Sequence, residues 1–338
     1  MKSVFVKRRG IAATLLATTA AAFALTIATP ATPAGAADKS PIENLHFLIP
    51  GGAGGGWDGT ARGTGEALTK SGLVSNASFE NMSGGGGGKA IGYLIENADS
   101  NKETIMVGST PFVIRGLTGR YKGKTFRDLT MIAGTIGDYA ALVVNKNSPI
   151  KDFKQLVAQY KKDPRSVALG GGSVPGGMDH LVAAMIMKTA GAEPTKVKYI
   201  PYDAGGKAMA ALLSGEIKAL STGFSEAVEL AKAGEVRIIG ITAAERIDTY
   251  KEAPTFKEQG VDAQFVNWRG FFAAPGLDDA RATEVRNAIA AMYDTPEWEA
   301  VRKRNGWVNI HNPGDKFVSF LNEQEKTIGS LMKELGFL

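Results

Sequence analysis

Glycine dominates the chemistry-bearing parts of this 338-residue chain, and it is concentrated in four short stretches. They are PGGAGGGWDG at 50–59, SGGGGGKA at 83–90, GGGSVPGG at 170–177 and AGGKA at 204–208. Glycine lets a ligand approach its backbone N–H, and successive amides make a concave nest for an anion, helped by the positive end of a following helix. The chemistry implied is recognition of an anionic oxygen group. Four such loops favour ligand contact over tight turns alone. Trp57 and Tyr202 sit inside polar glycine loops and are expected as cleft walls, Phe224 reads as core, and Phe112 and Trp268, also beside the loops, read as either core or cleft wall. Arg269 is the one cation expected to face the cleft, as a ligand contact or as a paired structural arginine.

Catalytic readings of the same residues fit less well. Gly54, Gly56 and Gly59 satisfy the dinucleotide pattern G-x-G-x-x-G, with Glu80 where a ribose-binding acid would stand, but residues 50–53 separate the strand from that turn. The 83–90 stretch fails the phosphate-loop pattern at both ends, with Ser83 and Ala90 in place of the required residues. Ser173 imitates a nucleophile elbow, yet Pro175 stands where its second glycine belongs. His46, His180 and His311 are scattered, and Asp179-His180 reads as a helix start that caps and packs. No cysteine is present. No catalytic or metal-binding set emerges, no cofactor is implied, and the chain is not read as an enzyme.

The elements that would carry these loops alternate. Apolar strands are expected at 45–49, 77–80, 104–107, 140–144, 167–169, 196–200, 217–220, 237–242 and 270–274. Helices are expected at 152–162, 179–190, 225–233, 279–293 and 316–335, with an uncertain one after the first glycine loop. Three features then repeat in order. GGG at 54 returns at 170, GGKA at 87 returns at 205, and the Ser-Thr pair at Ser109 returns at Ser221, offsets of 116, 118 and 112. Each falls where a strand ends and a helix begins. The expectation is an α/β protein of two similar lobes, presenting loops from the carboxyl ends of their strands, where open sheets bind ligands. Lobe 1 is assigned to 38–141 and 268–338 and lobe 2 to 142–267, so that two crossing strands form a hinge.

The first 37 residues read as a cleaved signal peptide: Lys2, Lys7, Arg8 and Arg9, an apolar run over 11–27, and small residues at 34–37. A retained anchor is the alternative, disfavoured by Pro30, Pro33 and the Ala-x-Ala site. Removing those four basic residues from 39 leaves 35 against 34 acidic, so the mature chain is close to neutral. No basic run remains to bind nucleic acid. A free, soluble, exported protein is expected, without lipid attachment.

The residues resemble the periplasmic solute receptors of tripartite tricarboxylate transporters, the Bug-type family. PGGAGGGWD, ENMSGGGGGKA, VGSTP, LVVNKNSPIKDFKQL, GGGSVPGG, YIPYDAGGKAMAALLSGEI and WRGFFAAPG follow one another in that family's order. The resemblance implies a two-lobed periplasmic-binding-protein fold of type II-like character, two Rossmann-like lobes closing on a small carboxylate held by backbone amides, hydroxyls and water. Carried over, it places Gly54, Gly55, Gly56, Trp57 and Asp58 at the ligand, with Ser109, Thr110, Gly172, Ser173, Tyr202, Gly205, Gly223 and Ser225. GGGWD and WRGFF tilt the ligand towards citrate-like di- or tricarboxylates. The implied partner is a two-subunit inner-membrane permease, and the implied state is a monomer in the periplasm. The alternative is an exported dinucleotide-dependent oxidoreductase that uses the 54–59 loop and reads Arg8-Arg9 as a twin-arginine signal. A third possibility is an exported hydrolase using Ser173.

Overall fold

The computed structural model describes residues 42–121 and 123–338; the expected signal segment and its cleavage site near 34–37 lie outside them. The chain opens with three strand–helix units: β1 (Ile42–Ile49) and α1 (Gly56–Lys70), β2 (Val74–Asn81) and α2 (Gly88–Glu96), β3 (Thr104–Ser109) and α3 (Thr110–Leu117). The long β4 (Thr130–Asn145) follows. Then come α4 (Phe153–Lys162) and three more units: β5 (Leu169–Gly171) and α5 (Met178–Thr189), β6 (Tyr199–Pro201) and α6 (Gly205–Ser214), β7 (Ala219–Gly223) and α7 (Phe224–Lys232). The remainder is β8 (Val236–Ile241), β9 (Val266–Ala273), α8 (Asp279–Met292), α9 (Pro296–Asn305), β10 (Val308–Pro313) and α10 (Asp315–Glu334).

The sequence echo is visible in the sheet. The parallel strands run β2-β1-β3 in one half and β6-β5-β7 in the other. Each trio is closed by an antiparallel strand, β9 against β3 and β4 against β7. β4 joins the halves, pairing with β9 through Thr130–Tyr139 and with β7 and β8 through Ala140–Asn145. The chain returns beside it, where Phe265 N–H donates to Thr242 O at 3.2 Å before β9 begins. Helices cover both faces of the parallel strands, so β3 is buried along its whole length, as such strands must be. Repeated motifs mark the strand-to-helix junctions in both halves.

Several elements differ from the sequence reading. β4 spans sixteen residues where five were expected, because Gly134, Gly137 and Asp138 interrupt an otherwise apolar run. α1 forms despite four glycines. A Cβ on Gly65 would stand 2.5 Å from the Phe79 ring, and one on Gly63 would press on Trp307 and Val301 at 3.0 Å. Those glycines let α1 lie close against β2 and α9 at some cost in helix propensity. α9 and β10 were not anticipated. Trp268 is buried against Phe317 and Phe320, and Phe112 and Phe224 are fully buried; this agrees with the reading of Phe224 as core and places the other two there as well.

Candidate functional site

At the carboxyl ends of β1, β3, β5, β6 and β7 the loops enclose a cavity of about 370 Å³, within the size range of small-molecule sites. α1, α3, α5 and α6 all begin at its wall, through Gly55-Gly56, Ser109, Gly177-Met178 and Ala204-Gly205. Among the described residues, no acceptor takes the amide hydrogens of Gly56, Trp57, Gly205 or Gly206. Free N–H groups and aligned helix dipoles at one place favour an anion. Ala204, with φ 78°, is the one non-glycine residue at positive φ among those described. Such strain persists where surrounding structure enforces it and clusters at ligand sites.

Beneath these amides lies a charged cluster. Arg269 on β9 is 2% exposed; its Nη2 donates to Asp138 Oδ2 on β4 at 2.7 Å and its Nη1 to Thr60 Oγ1 at 2.9 Å. Ser225 Oγ also donates to Asp138 Oδ2, at 2.7 Å. Burial raises the Asp138 pKa, and Arg269 and Ser225 oppose that rise. Glu226 faces the cavity and accepts the Gly223 N–H at 3.0 Å. Its pKa is raised by burial, lowered by Arg269 and raised by Asp138. Asp179, 6% exposed, lines the same wall; burial first and the neighbouring Glu226 next push it up to about 7. Glycines make room for this cluster. A Cβ on Gly56 would overlap Arg269 Nη2, one on Gly205 Glu226 Oε1, and one on Gly223 Asp138 Oδ2.

Nine of the residues placed at the ligand by sequence line the cavity: Gly55, Gly56, Trp57, Ser109, Gly172, Ser173, Tyr202, Gly205 and Arg269. Trp57 Nε1 donates to Ser109 Oγ at 2.8 Å, fixing the indole as a wall. Tyr202 OH donates to Glu216 Oε1 at 2.8 Å. The other five, Gly54, Asp58, Thr110, Gly223 and Ser225, are not part of its lining. Asp58 accepts from Gly54 N–H at 3.0 Å and from Arg62 Nε at 2.8 Å, so it holds the loop in shape. Thr110 is fully buried, and Gly223 and Ser225 serve the acidic cluster. Sequence reasoning missed Arg115, Asn267, Asp138 and Glu226. A lone Asp inside the apolar β4 was the available signal for the partner of Arg269.

Ser173 does not meet an imidazole. Its Oγ accepts the Asp179 N–H at 3.0 Å and contacts Tyr199 OH at 3.1 Å. His180 stacks on Tyr199 at 4.6 Å, its Nδ1 accepts the Gly176 N–H at 3.1 Å, and burial pulls it down to about 4. His180 packs at the start of α5 as expected, but Asp179 does not cap it: the N-cap is Gly177, without a side-chain hydrogen bond, and Asp179 lies in the first turn on the cavity wall.

The family model TctC, the tripartite tricarboxylate transporter family receptor, matches residues 61–337. The chain belongs to this receptor family. Its members are solute receptors, which removes the oxidoreductase and hydrolase readings. The receptor is 26% identical to protein BugT of Bordetella pertussis, over 89% of this chain and 91% of that one. In fold it resembles a Rhodopseudomonas palustris protein solved with adipate, with a TM-score of 0.77 at 20% identity, covering 88% and 98% of the two chains. It also resembles MatC of the same organism, solved with malate, with a TM-score of 0.74 at 19% identity, covering 86% and 99%. No helix of the receptor among the described residues is long and apolar enough to cross a membrane.

Proposed function

We propose that the receptor works in the periplasm as a monomer, capturing a small organic di- or tricarboxylate, citrate-like acids included, and delivering it to a two-subunit inner-membrane permease. The observation that carries this reading is the convergence of four helix starts, with free amides on α1 and α6, on one cavity. Malate and adipate in the two similar R. palustris structures are acids of this class. In this reading the amides of Gly56, Trp57, Gly205 and Gly206 hold a ligand carboxylate, with Ser109, Ser173, Tyr202 and Arg269 around it. Residues 38–141 with 268–338, and 142–267, act as two lobes that close about β4 and the start of β9. Residues 1–37 direct export and are removed.

A thermal-shift screen over small carboxylic acids, followed by NMR of each stabilising acid in the presence of protein, tests the proposal. The expected result is stabilisation by one or more acids with no change in their spectra. Conversion of an acid to product, or stabilisation by none, would refute it. Intact mass of periplasmic protein is expected to place the mature N-terminus at Ala37 or Asp38.

A further inference from the structure

The two faces of the sheet hold its halves together differently. On one face a single apolar core runs through both halves, joining Phe112 and Ile114 of α3, Leu181 and Val182 of α5, and Met332 and Leu335 of α10. On the other face the core is divided. Among the described residues, the part under α1, α8 and α9 draws only on 42–136 and 271–307, and the part under α6 and α7 only on 141–253. Alternate side chains of β4 show the difference: Leu142 and Val144 join the undivided core, Ala141 and Val143 the part under α6 and α7. What lies between the two parts is largely polar. Ser225, at the start of α7, reaches across to Asp138. Farther out, a cavity of about 690 Å³ separates the ends of α7 and α9, lined by Lys232, Arg246, Lys303 and Arg304 among others. Thr249 Oγ1 donates to Lys303 O at 2.5 Å beside it. Water can replace polar contacts like these, whereas parting an apolar core exposes surface that water disfavours.

We infer that the cleft opens on one side only: the face formed by α3, α5 and α10 is the fixed edge about which the halves turn, and the seam between α7 and α9 is where they part. The inference rests on the carboxylate-receptor reading and deepens it by assigning which contacts give way. α10 is the strap of the fixed edge, a third link between the halves beside β4 and the return to β9. Gly314, its N-cap, donates its N–H to Ile132 O at 3.0 Å, and Gly329 lies against Leu117 of α3. Its end rests on α5, where Lys188 Nζ donates to Glu334 Oε1 at 2.6 Å and Phe337 meets His180 edge to face at 4.9 Å. In this structure the seam is tied and the mouth above it is shut. Gly52 and Gly55 lie against Ala204, and Ser83 donates to Asp203 from the opposite half. α1 and α6 belong to the two separate parts of the divided core. Opening the seam therefore draws the free amides of α1 away from those of α6.

The chain has no cysteine, so added pairs can be joined selectively. Thr249→Cys with Lys303→Cys puts a tether across the seam, and Lys188→Cys with Glu334→Cys puts one across the fixed edge. Each pair is joined with a reducible bis-methanethiosulfonate linker; Lys232→Cys with Lys303→Cys is a second seam pair that guards against misfolding of the first. Small-angle scattering of ligand-free protein is expected to give a smaller radius of gyration with the seam tethered and an unchanged one with the fixed edge tethered. Reduction of the linker is expected to restore the untethered value. Association of the carboxylic acid that stabilises the protein most, followed by tryptophan emission, is expected to slow at least tenfold with the seam tether and less than twofold with the other. If the fixed-edge tether compacts the protein or slows association as much as the seam tether, or if neither has an effect, the inference fails while the carboxylate reading stands. If scattering behaves as expected but no carboxylic acid binds the untethered protein, the carboxylate reading fails and the one-sided hinge stands.

Discussion

Replacing Arg269 with Met probes the charged cluster that underlies the cavity. The substitution keeps most of the side-chain volume and leaves Asp138, fully buried, facing only Ser225 and the neighbouring acid Glu226. Breaking one side of a buried pair costs about 3–5 kcal/mol, and an independent argument gives the same size. The stranded Asp138 must fold protonated, and near pH 7 that costs roughly 1.36 kcal/mol for each of the ~3 pH units above the ordinary aspartate value, or about 4 kcal/mol. Near pH 5 the same sum is about 1.5 kcal/mol. The penalty should therefore shrink on acidification, because a carboxyl with a raised folded pKa gives stability that is present at low pH and lost as pH rises. At roughly 2–4 °C per kcal/mol or slightly less, the melting point should fall by on the order of 10 °C near pH 7. Asp138→Asn should cost less, since Arg269 keeps Thr60 and gains Glu226 as its main counter-charge. Urea denaturation of both single variants and the double variant, at the two pH values, closes the cycle. A penalty for Arg269→Met that is below about 1 kcal/mol, or that does not change with pH, would refute the assignment of a buried, charge-compensating pair.

Other substitutions probe the surrounding wall. Asp179, at about 7 against an ordinary 3.8, contributes stability present below about pH 4 and lost by about pH 7, worth roughly 4 kcal/mol; Asp179→Asn should flatten ligand-free stability across that window and exceed wild type near pH 8, as read by urea denaturation. Gly172→Ala places a Cβ on the backbone nitrogen of Gly205, which cannot step aside, so it should cost about 1–3 kcal/mol and weaken acid binding at least tenfold in thermal-shift titrations. Gly205→Ala meets only the end of the Glu226 side chain, so its loss of stability should be relieved in the double variant with Glu226→Ala. Small-angle scattering should show a smaller radius of gyration with saturating ligand; an unchanged profile would confine the site to one half of the sheet.

The sheet was largely legible because its strands are short apolar runs between glycine-marked turns, and the repeated motifs located six strand-to-helix junctions. What escaped was set by tertiary contact. The glycines that hide α1 are explained only by Phe79, Trp307 and Val301 pressing on its face. The polar half of β4 is unreadable without Arg269 on the next strand. For the site, glycine loops pointed to the right walls, but not to why each glycine is there. Gly56, Gly205 and Gly223 face Arg269, Glu226 and Asp138, residues that come from three distant segments, and no local spacing links them. Conversely, Asp58 sits beside the loop in sequence and turns its carboxylate back to brace it.

Trp57 offers the most direct test of the central claim, that a small organic acid is held in this cavity. It is the only one of the four tryptophans on the cavity wall, since Trp268, Trp298 and Trp307 are each at most 1% exposed. Titrating purified protein with the acid that stabilises it most, while following tryptophan emission, should give a saturable change with one acid per chain. The change should vanish in Trp57→Phe, although calorimetry still detects binding. No emission change with any stabilising acid, or a change that persists undiminished in Trp57→Phe, would contradict the claim and place binding elsewhere.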